Sequence, residues 1–185
     1  MTPPLVRLAD PDADAAAVAA IYRPAVESTV ATFEEVVPDG AEMAERIRTT
    51  LGRTPWLVAA DERGTVTGYA YASGHRERAG YRWSVDVSVY VDPAYHGRGV
   101  GRALYDVLLE LLRRQRFVNA FAGIALPNDA SVALHRAIGM APIGVYPHVG
   151  YKHGRWVDVA WFGMRLREPD DPPAEPIPLP LLEGA

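Results

Sequence analysis

The chain has 185 residues, 49% hydrophobic and 23% charged, with a net charge of −4 and a pI near 5.7. This fits one globular domain with a single sizeable core and gives no bulk electrostatic ground for a nucleic-acid partner. The lack of cysteine excludes a disulfide framework, a thiolate zinc site and a cysteine nucleophile. No run approaches the ~20 apolar residues of a membrane-spanning helix, and the opening MTPPLVRLADPDADA is acidic where an export signal would be basic, so the expectation is a cytoplasmic protein with no membrane partner and no metal.

A short strand is expected over residues 6–9. Asp10, Asp12 and Asp14 then supply the cap and first-turn acids of a helix that runs to about residue 26. Residues 27–38 read as a connecting loop, and Asp39 with Glu42 makes a capping box for a second helix reaching about residue 51. Strand-like runs at 56–61 and 65–73 are joined by Glu62, Arg63 and Gly64 as a hairpin. Residues 81–91 alternate, with Trp83, Val85, Val87, Val89 and Val91 pointing one way and Ser84, Asp86, Ser88 and Tyr90 the other.

After the break at Asp92 and Pro93, Val100, Leu104, Val107, Leu108, Leu111 and Leu112 keep helical spacing. A strand near 118–125, a helix over about 129–138, a strand near 142–147 and a last strand over 155–166 complete an α/β (α+β) domain around one central sheet. Residues 169–185 hold six of the 16 prolines and carry neither period. The domain is therefore expected to span 1–168, with an extended or partly disordered proline-rich tail over 169–185. There is no internal repeat.

Most of the functional information lies in His96-Gly97-Arg98-Gly99-Val100-Gly101-Arg102, between a strand and a helix. Glycines let a ligand approach the backbone, and free amides at a helix start favour a phosphate. The segment is not a Walker loop, having no Lys-Ser or Lys-Thr, and it lacks the third glycine of the dinucleotide fingerprint. A turn that only reverses the chain is the alternative.

The run Val89-Tyr90-Val91 leading into Gly97-Arg98-Gly99-Val100-Gly101-Arg102-Ala103-Leu104, followed by Leu126-Pro127-Asn128-Asp129-Ala130-Ser131 and Leu134-His135-Arg136-Ala137-Ile138-Gly139, resembles the GCN5-related N-acetyltransferases (GNAT). It is most similar to the branch that acetylates phosphinothricin and methionine sulfoximine. Thr32-Phe33-Glu34, Pro55-Trp56-Leu57-Val58-Ala59, Gly68-Tyr69-Ala70-Tyr71-Ala72, Gly150-Tyr151-Lys152-His153-Gly154 and Trp156 with Asp158 add to the likeness, which covers almost the whole chain. Three positions depart from the pattern. His96 stands where Gln or Arg is usual, Asp86 where the branch commonly has Glu, and His75-Arg76-Glu77-Arg78 where its substrate loop often reads Trp-Lys-Ala-Arg.

The resemblance implies a mixed, mostly antiparallel sheet with splayed central strands flanked by helices, and acetyl-CoA as cosubstrate. It implies that amides of Gly97, Arg98, Gly99, Val100, Gly101 and Arg102, with His96, bind pyrophosphate, and that Ser88, Val89 and Tyr90 pair with the pantetheine arm. Asn128 and Ser131 serve the cofactor. Asp86, on the polar strand face, is the expected base, directly or through water, with a solvated strand carboxylate as the alternative and Glu34 and Glu35 as other candidates. His135 falls where many acetyltransferases carry the tyrosine that protonates coenzyme A, and an imidazole can do the same. Arg76, Arg78, Tyr81 and Lys152 suit the anionic groups of an amino-acid-like substrate. Phe33 is expected to line the same pocket, and the likeness implies a homodimer. The other functions open at this stage are acetylation of another small amine or a peptide N-terminus, and an idle acyl-CoA-binding module.

Overall fold

The computed structural model describes residues 4–184. Its strands are β1 (Leu5–Leu8), β2 (Trp56–Ala60), β3 (Val66–Gly74), β4 (Ser84–Val91), β5 (Asn119–Ala125), β6 (Ala141–Lys152) and β7 (Arg155–Arg165); its helices are α1 (Pro11–Ser28), α2 (Gly40–Leu51), α3 (Val100–Arg114) and α4 (Asp129–Ala137). The strands make one sheet in the order β1-β2-β3-β4-β5-β7-β6. Every neighbouring pair is antiparallel except β4 with β5.

Helix starts follow the cap chemistry. Asp10 accepts from the amides of Asp12 and Ala13, and Asp39 accepts from Glu42, so the first orphan amides of α1 and α2 are satisfied. Asp14 does more than favour the helix dipole. It is buried and paired with both terminal nitrogens of Arg7 at 2.6 and 2.8 Å, tying α1 to β1.

Two apolar layers sandwich the sheet. Leu104, Tyr105, Leu108 and Leu112 of α3 pack on Val85 and Val87 of β4 and on Ala120 and Ala122 of β5. Met43 and Ile47 of α2 join Val18 and Tyr22 of α1 on Trp56, Val58 and Tyr69 across the opposite face. The strand alternation therefore does as period two requires, sending the valines of β4 to α3 and Tyr90 to the α1 side, where its ring meets Tyr22 at 5.0 Å.

Two expectations need correction. Residues 79–81 form a 3-10 turn, and strand pairing begins only at Ser84. The penultimate strand is twice the expected length, because Gly144, Pro147 and Gly150 interrupt its sequence signal without ending its pairing. β6 bulges past Pro147–Val149, where His148 has φ +50°, and resumes at Gly150. It then turns into β7 through His153 and Gly154, both at positive φ, the two-residue hairpin geometry that matches strand twist.

The tail docks on the domain. The Gln115 side-chain amide donates to the carbonyls of Arg53 and Ile177, the indole of Trp83 donates to Ala174, and Leu179 is buried. Prolines remove the tail's periodicity, yet its backbone finds partners at these points; Ala185 lies outside the described residues.

Candidate active site

The sheet forks at its centre. The parallel pairing of β4 with β5 runs only over Ser84–Asn119, Val85–Ala120 and Asp86–Phe121. Beyond Asp86 the strands part, and the space between them is a cleft of about 720 Å³. Residues 87–91 of β4 form one wall and residues 123–125 of β5 the other, while Pro24, Ala25 and Val30 close the α1 side. A strand released from its neighbour offers unpaired backbone donors and acceptors, which suits a ligand that itself carries amides.

The outer end of the cleft is the glycine loop. Gly97 and Gly99 have φ +72° and +81°, a left-handed conformation natural to glycine, and Gly99 caps α3, whose first turn carries no acidic residue. The helix thus presents free amides and the positive end of its dipole to the cleft. Gly101 serves differently. A Cβ there would lie 3.0 Å from Leu134, so this glycine sets how closely α3 and α4 approach.

Of the residues expected to hold the cofactor, Ser88, Val89, Tyr90, His96, Gly97, Gly99, Val100, Gly101, Arg102, Asn128 and Ser131 come together on this one cleft. Arg98 does not line it; its guanidinium lies over the Tyr95 ring. The Arg102 side chain is held by Asp106 and by the Ala137 carbonyl. His96 Nε2 lies 2.9 Å from the Val91 carbonyl, and Asn128 caps α4 through the Ser131 amide.

His135 lines the cleft from α4 but is buried, and both its ring nitrogens are engaged. Nδ1 lies 2.7 Å from the Ser131 carbonyl, which accepts only from an N–H, so Nε2 is the bare nitrogen and accepts from the Tyr105 hydroxyl at 2.9 Å. Burial lowers the His135 pKa and raises that of Tyr105 far above the usual phenol range. The pair is a neutral imidazole and a neutral phenol. Tyr105 was hidden in the sequence among the apolar residues of an amphipathic helix.

Asp86 stands at the apex of the fork, two residues before Ser88 on the same strand face. Its Oδ1 is 2.7 Å from His75 Nδ1. Burial raises its pKa, while the hydrogen bond and charge of His75 and the charge of Arg76 pull it back. Tyr81 is exposed with its ring 6.1 Å from His75, and Arg78 is exposed on the same loop. Arg76 is close enough for its charge to act on Asp86 and Tyr81 stands by His75, whereas Arg78 only shares their loop. Asp86, Arg76, Arg78 and Tyr81 sit at the apex end of the fork or on that loop and are not among the residues lining the cleft.

Lys152 and Phe33 lie elsewhere. Lys152 is buried, and its ammonium donates to the carbonyls of Thr32 at 2.8 Å and Ala25 at 3.4 Å, so it ties β6 to the α1–α2 loop instead of facing the cleft. Phe33, in that loop, covers Gly150, occupying the space a Cβ would need. Glu34, an alternative base in the sequence, is bound through both oxygens by Arg46 and also accepts from Tyr22; the Arg46 pairing holds its pKa below the usual carboxylate range. Such a carboxylate is poorly placed to take a proton.

Residues 8–161 match the acetyltransferase (GNAT) domain family. The chain belongs to the GNAT acetyltransferases. Among its GNAT relatives, phosphinothricin N-acetyltransferase of Streptomyces viridochromogenes is 37% identical over 166 residues, covering 89% of this chain and 90% of the relative. The L-methionine sulfoximine/L-methionine sulfone acetyltransferase of Salmonella typhimurium is 39% identical over 171 residues, covering 91% and 98%. A crystal structure of a phosphinothricin acetyltransferase from Sinorhizobium meliloti in complex with acetyl-CoA superposes with a TM-score of 0.87 at 39% identity, covering 99% of this chain and 95% of that one. As a GNAT enzyme the chain is an acetyl-CoA-dependent N-acetyltransferase. The released edge of β4 and the left-handed glycine loop at the start of α3 fit that cosubstrate, with backbone for its amide-bearing arm and free amides for its phosphates.

Proposed function

We propose that the enzyme acetylates the α-amino group of a small amino-acid-like substrate of the phosphinothricin, methionine sulfoximine or methionine sulfone kind. The observation that carries this reading is the position of Asp86, where β4 and β5 part, with the charge of Arg76 acting on it and Tyr81 beside its partner His75. Acetyl-CoA supplies the acetyl group as an activated thioester. The amine must shed its proton before its lone pair can form the C–N bond, the C–S bond then breaks, and the sulfur takes up a proton. Amine deprotonation belongs to the Asp86 apex. Released β4 backbone amides polarise the carbonyl, and return of a proton to the sulfur is assigned to the Tyr105–His135 pair in the wall of the cleft, whose hydrogen bonds to one another and to the Ser131 carbonyl must open for the transfer. Arg76 and Arg78 suit the carboxylate and the second anionic or strongly polar oxygen of such substrates. Lys152 is assigned to structure on its carbonyl contacts.

A homodimer and a cytoplasmic location belong to the same reading. The first is supported by β6 and β7, which expose Ile143, Val145, Val149, Tyr151 and Trp156. The domain proper is taken to end at residue 168, with the segment beyond docked upon it.

The test is coenzyme A release with phosphinothricin, methionine sulfoximine, methionine sulfone and the common free amino acids. Release with at least one of the three analogues, at the expense of its primary amine, is the expected result. Release only with peptide N-termini or unrelated amines, or acetyl-CoA binding with no release at all, overturns the substrate assignment.

A further inference from the structure

Asp86 is not a free carboxylate, and the group that meets it comes from outside its strand. β3 and β4 pair Ser73 with Asp86 and Gly74 with Val85, and the next residue along, His75, closes a backbone bond to the Ser84 carbonyl. This register swings the His75 ring over the apex of the fork, with Nδ1 2.7 Å from Asp86 Oδ1. Phe121, the β5 partner of Asp86, packs against the ring at 4.6 Å, and Trp161 of β7 and Tyr81 each meet it edge-on at 6.1 Å. The imidazole is held by an aromatic wall, with 16% of the side chain exposed.

We propose that the proton acceptor of this site is Nε2 of His75, with Asp86 as the carboxylate that orients and polarises the imidazole. This rests on the acetyl-transfer reading above. An ionised Asp86 can only accept, so the short contact puts the His75 proton on Nδ1 and leaves the Nε2 lone pair free. Nε2 has no hydrogen-bond partner among the described residues. Imidazole, with an ordinary pKa near ~6.5, is better matched to an ammonium proton at neutral pH than a carboxyl near ~3.9. In the step, Nε2 takes one proton from the substrate ammonium, becoming imidazolium next to the Asp86 carboxylate, and the freed lone pair forms the C–N bond. The groups around the ring are Asp86 from β4 and Arg76 and Tyr81 from its own loop; Phe121 and Trp161 bring no charge. The two departures from the family pattern at positions 75 and 86 are thus one feature: the shorter carboxylate faces an imidazole.

The experiment compares His75→Ala, His75→Phe and Asp86→Asn for acetyl-CoA affinity by calorimetry, for kcat and KM across pH, and for rescue by added imidazole. Expected for both His75 variants are unchanged acetyl-CoA affinity, a kcat about 10²-fold lower or more, and loss of the acidic limb of the wild-type profile, with imidazole restoring rate to His75→Ala. Asp86→Asn turns over more slowly but keeps an acidic limb. His75 variants with wild-type rate and profile beside an impaired Asp86→Asn overturn the proposal and leave acetyl transfer standing with Asp86 as base. A further readout needs no turnover. Nitrogen-15 spectra of the neutral His75 ring should show protonated Nδ1 and bare Nε2, and Asp86→Asn, whose amide can donate as well as accept, should weaken that preference. The opposite tautomer, or a tautomer preference unmoved by Asp86→Asn, overturns the proposal even if every acceptor tried proves unreactive.

Discussion

The hydroxyl of Tyr105 donates to Nε2 of His135 across 2.9 Å inside the core, where neither side chain is more than 3% exposed. The bond joins α3 to α4 at the cleft wall and fixes which imidazole nitrogen carries the proton. Tyr105→Phe keeps the ring but leaves Nε2 a buried acceptor without a donor, which costs about 1–3 kcal/mol and should lower the melting temperature by about 2–4 °C per kcal/mol. If the pair hands a proton to the departing thiolate, kcat falls while KM for acetyl-CoA stays put. A variant as stable as wild type would mean that water replaces the phenol.

The same pair makes stability depend on pH with a definite sign. Burial holds the folded His135 pKa below its ordinary 6.5, although the Ser131 carbonyl opposes the shift. The unfolded chain therefore binds the proton more readily. The stabilisation from the neutral imidazole is complete above about pH 6.5 and is lost as pH falls from there through the lower pKa of the folded state. Melting temperatures measured between pH 8 and 5 should decline on the acid side, and the decline should be shallower in His135→Gln. Equal slopes for the two proteins would assign the acid sensitivity to other groups.

What was legible in the sequence was local. Period-two alternation put Asp86 opposite the valines of β4, and the glycines announced the loop before α3, because both signals arise within a few adjacent residues. His75 carried no such signal. It follows a glycine at the end of a strand, and only the β3–β4 register shows that it meets Asp86. Tyr105 was likewise hidden by its place beside Leu104, and Lys152 looked like a free cation because its carbonyl partners lie more than a hundred residues away. The tail's docking also depends on distant partners, with Gln115 binding both Arg53 and Ile177. Long-range pairing of polar groups has no period to read.

The two glycines of the cofactor loop should respond differently. At Gly99 a Cβ would touch nothing within 4 Å, so the penalty for Gly99→Val is the left-handed backbone itself, about 1–2 kcal/mol. If the loop relaxes to escape that strain, its amides turn away from the phosphates, and acetyl-CoA affinity should drop about tenfold or more. Gly101 is helical, and the nearest atom to its added Cβ is the flexible tip of Leu134. Gly101→Ala should keep affinity within a few-fold, whereas Gly101→Val separates α3 from α4 and loses stability as well as affinity. Calorimetry with thermal melts distinguishes the two causes. Equal loss of affinity in Gly99→Val and Gly101→Ala, without loss of stability, would favour steric exclusion of phosphate at both positions.

Lys152 offers a test of structure against substrate binding. Its ammonium is buried against the carbonyls of Ala25 and Thr32, and burial lowers its pKa while Glu35 and Glu34 pull it upward. Those carbonyls lie at and just beyond the end of α1, whose last turn carries no basic residue, so the lysine supplies from β6 the positive charge and donors that a helix C-terminus lacks. Lys152→Met fills similar space but leaves the carbonyls without this partner, at a cost of about 1–3 kcal/mol. Tying the loop that carries Phe33 and Glu34 is then its role, so the variant should melt several degrees lower while the amine substrate's KM changes less than about threefold, under 0.7 kcal/mol. A large rise in that KM at unchanged melting temperature would instead place the ammonium on the substrate, because a purely structural tie cannot be removed without loss of stability.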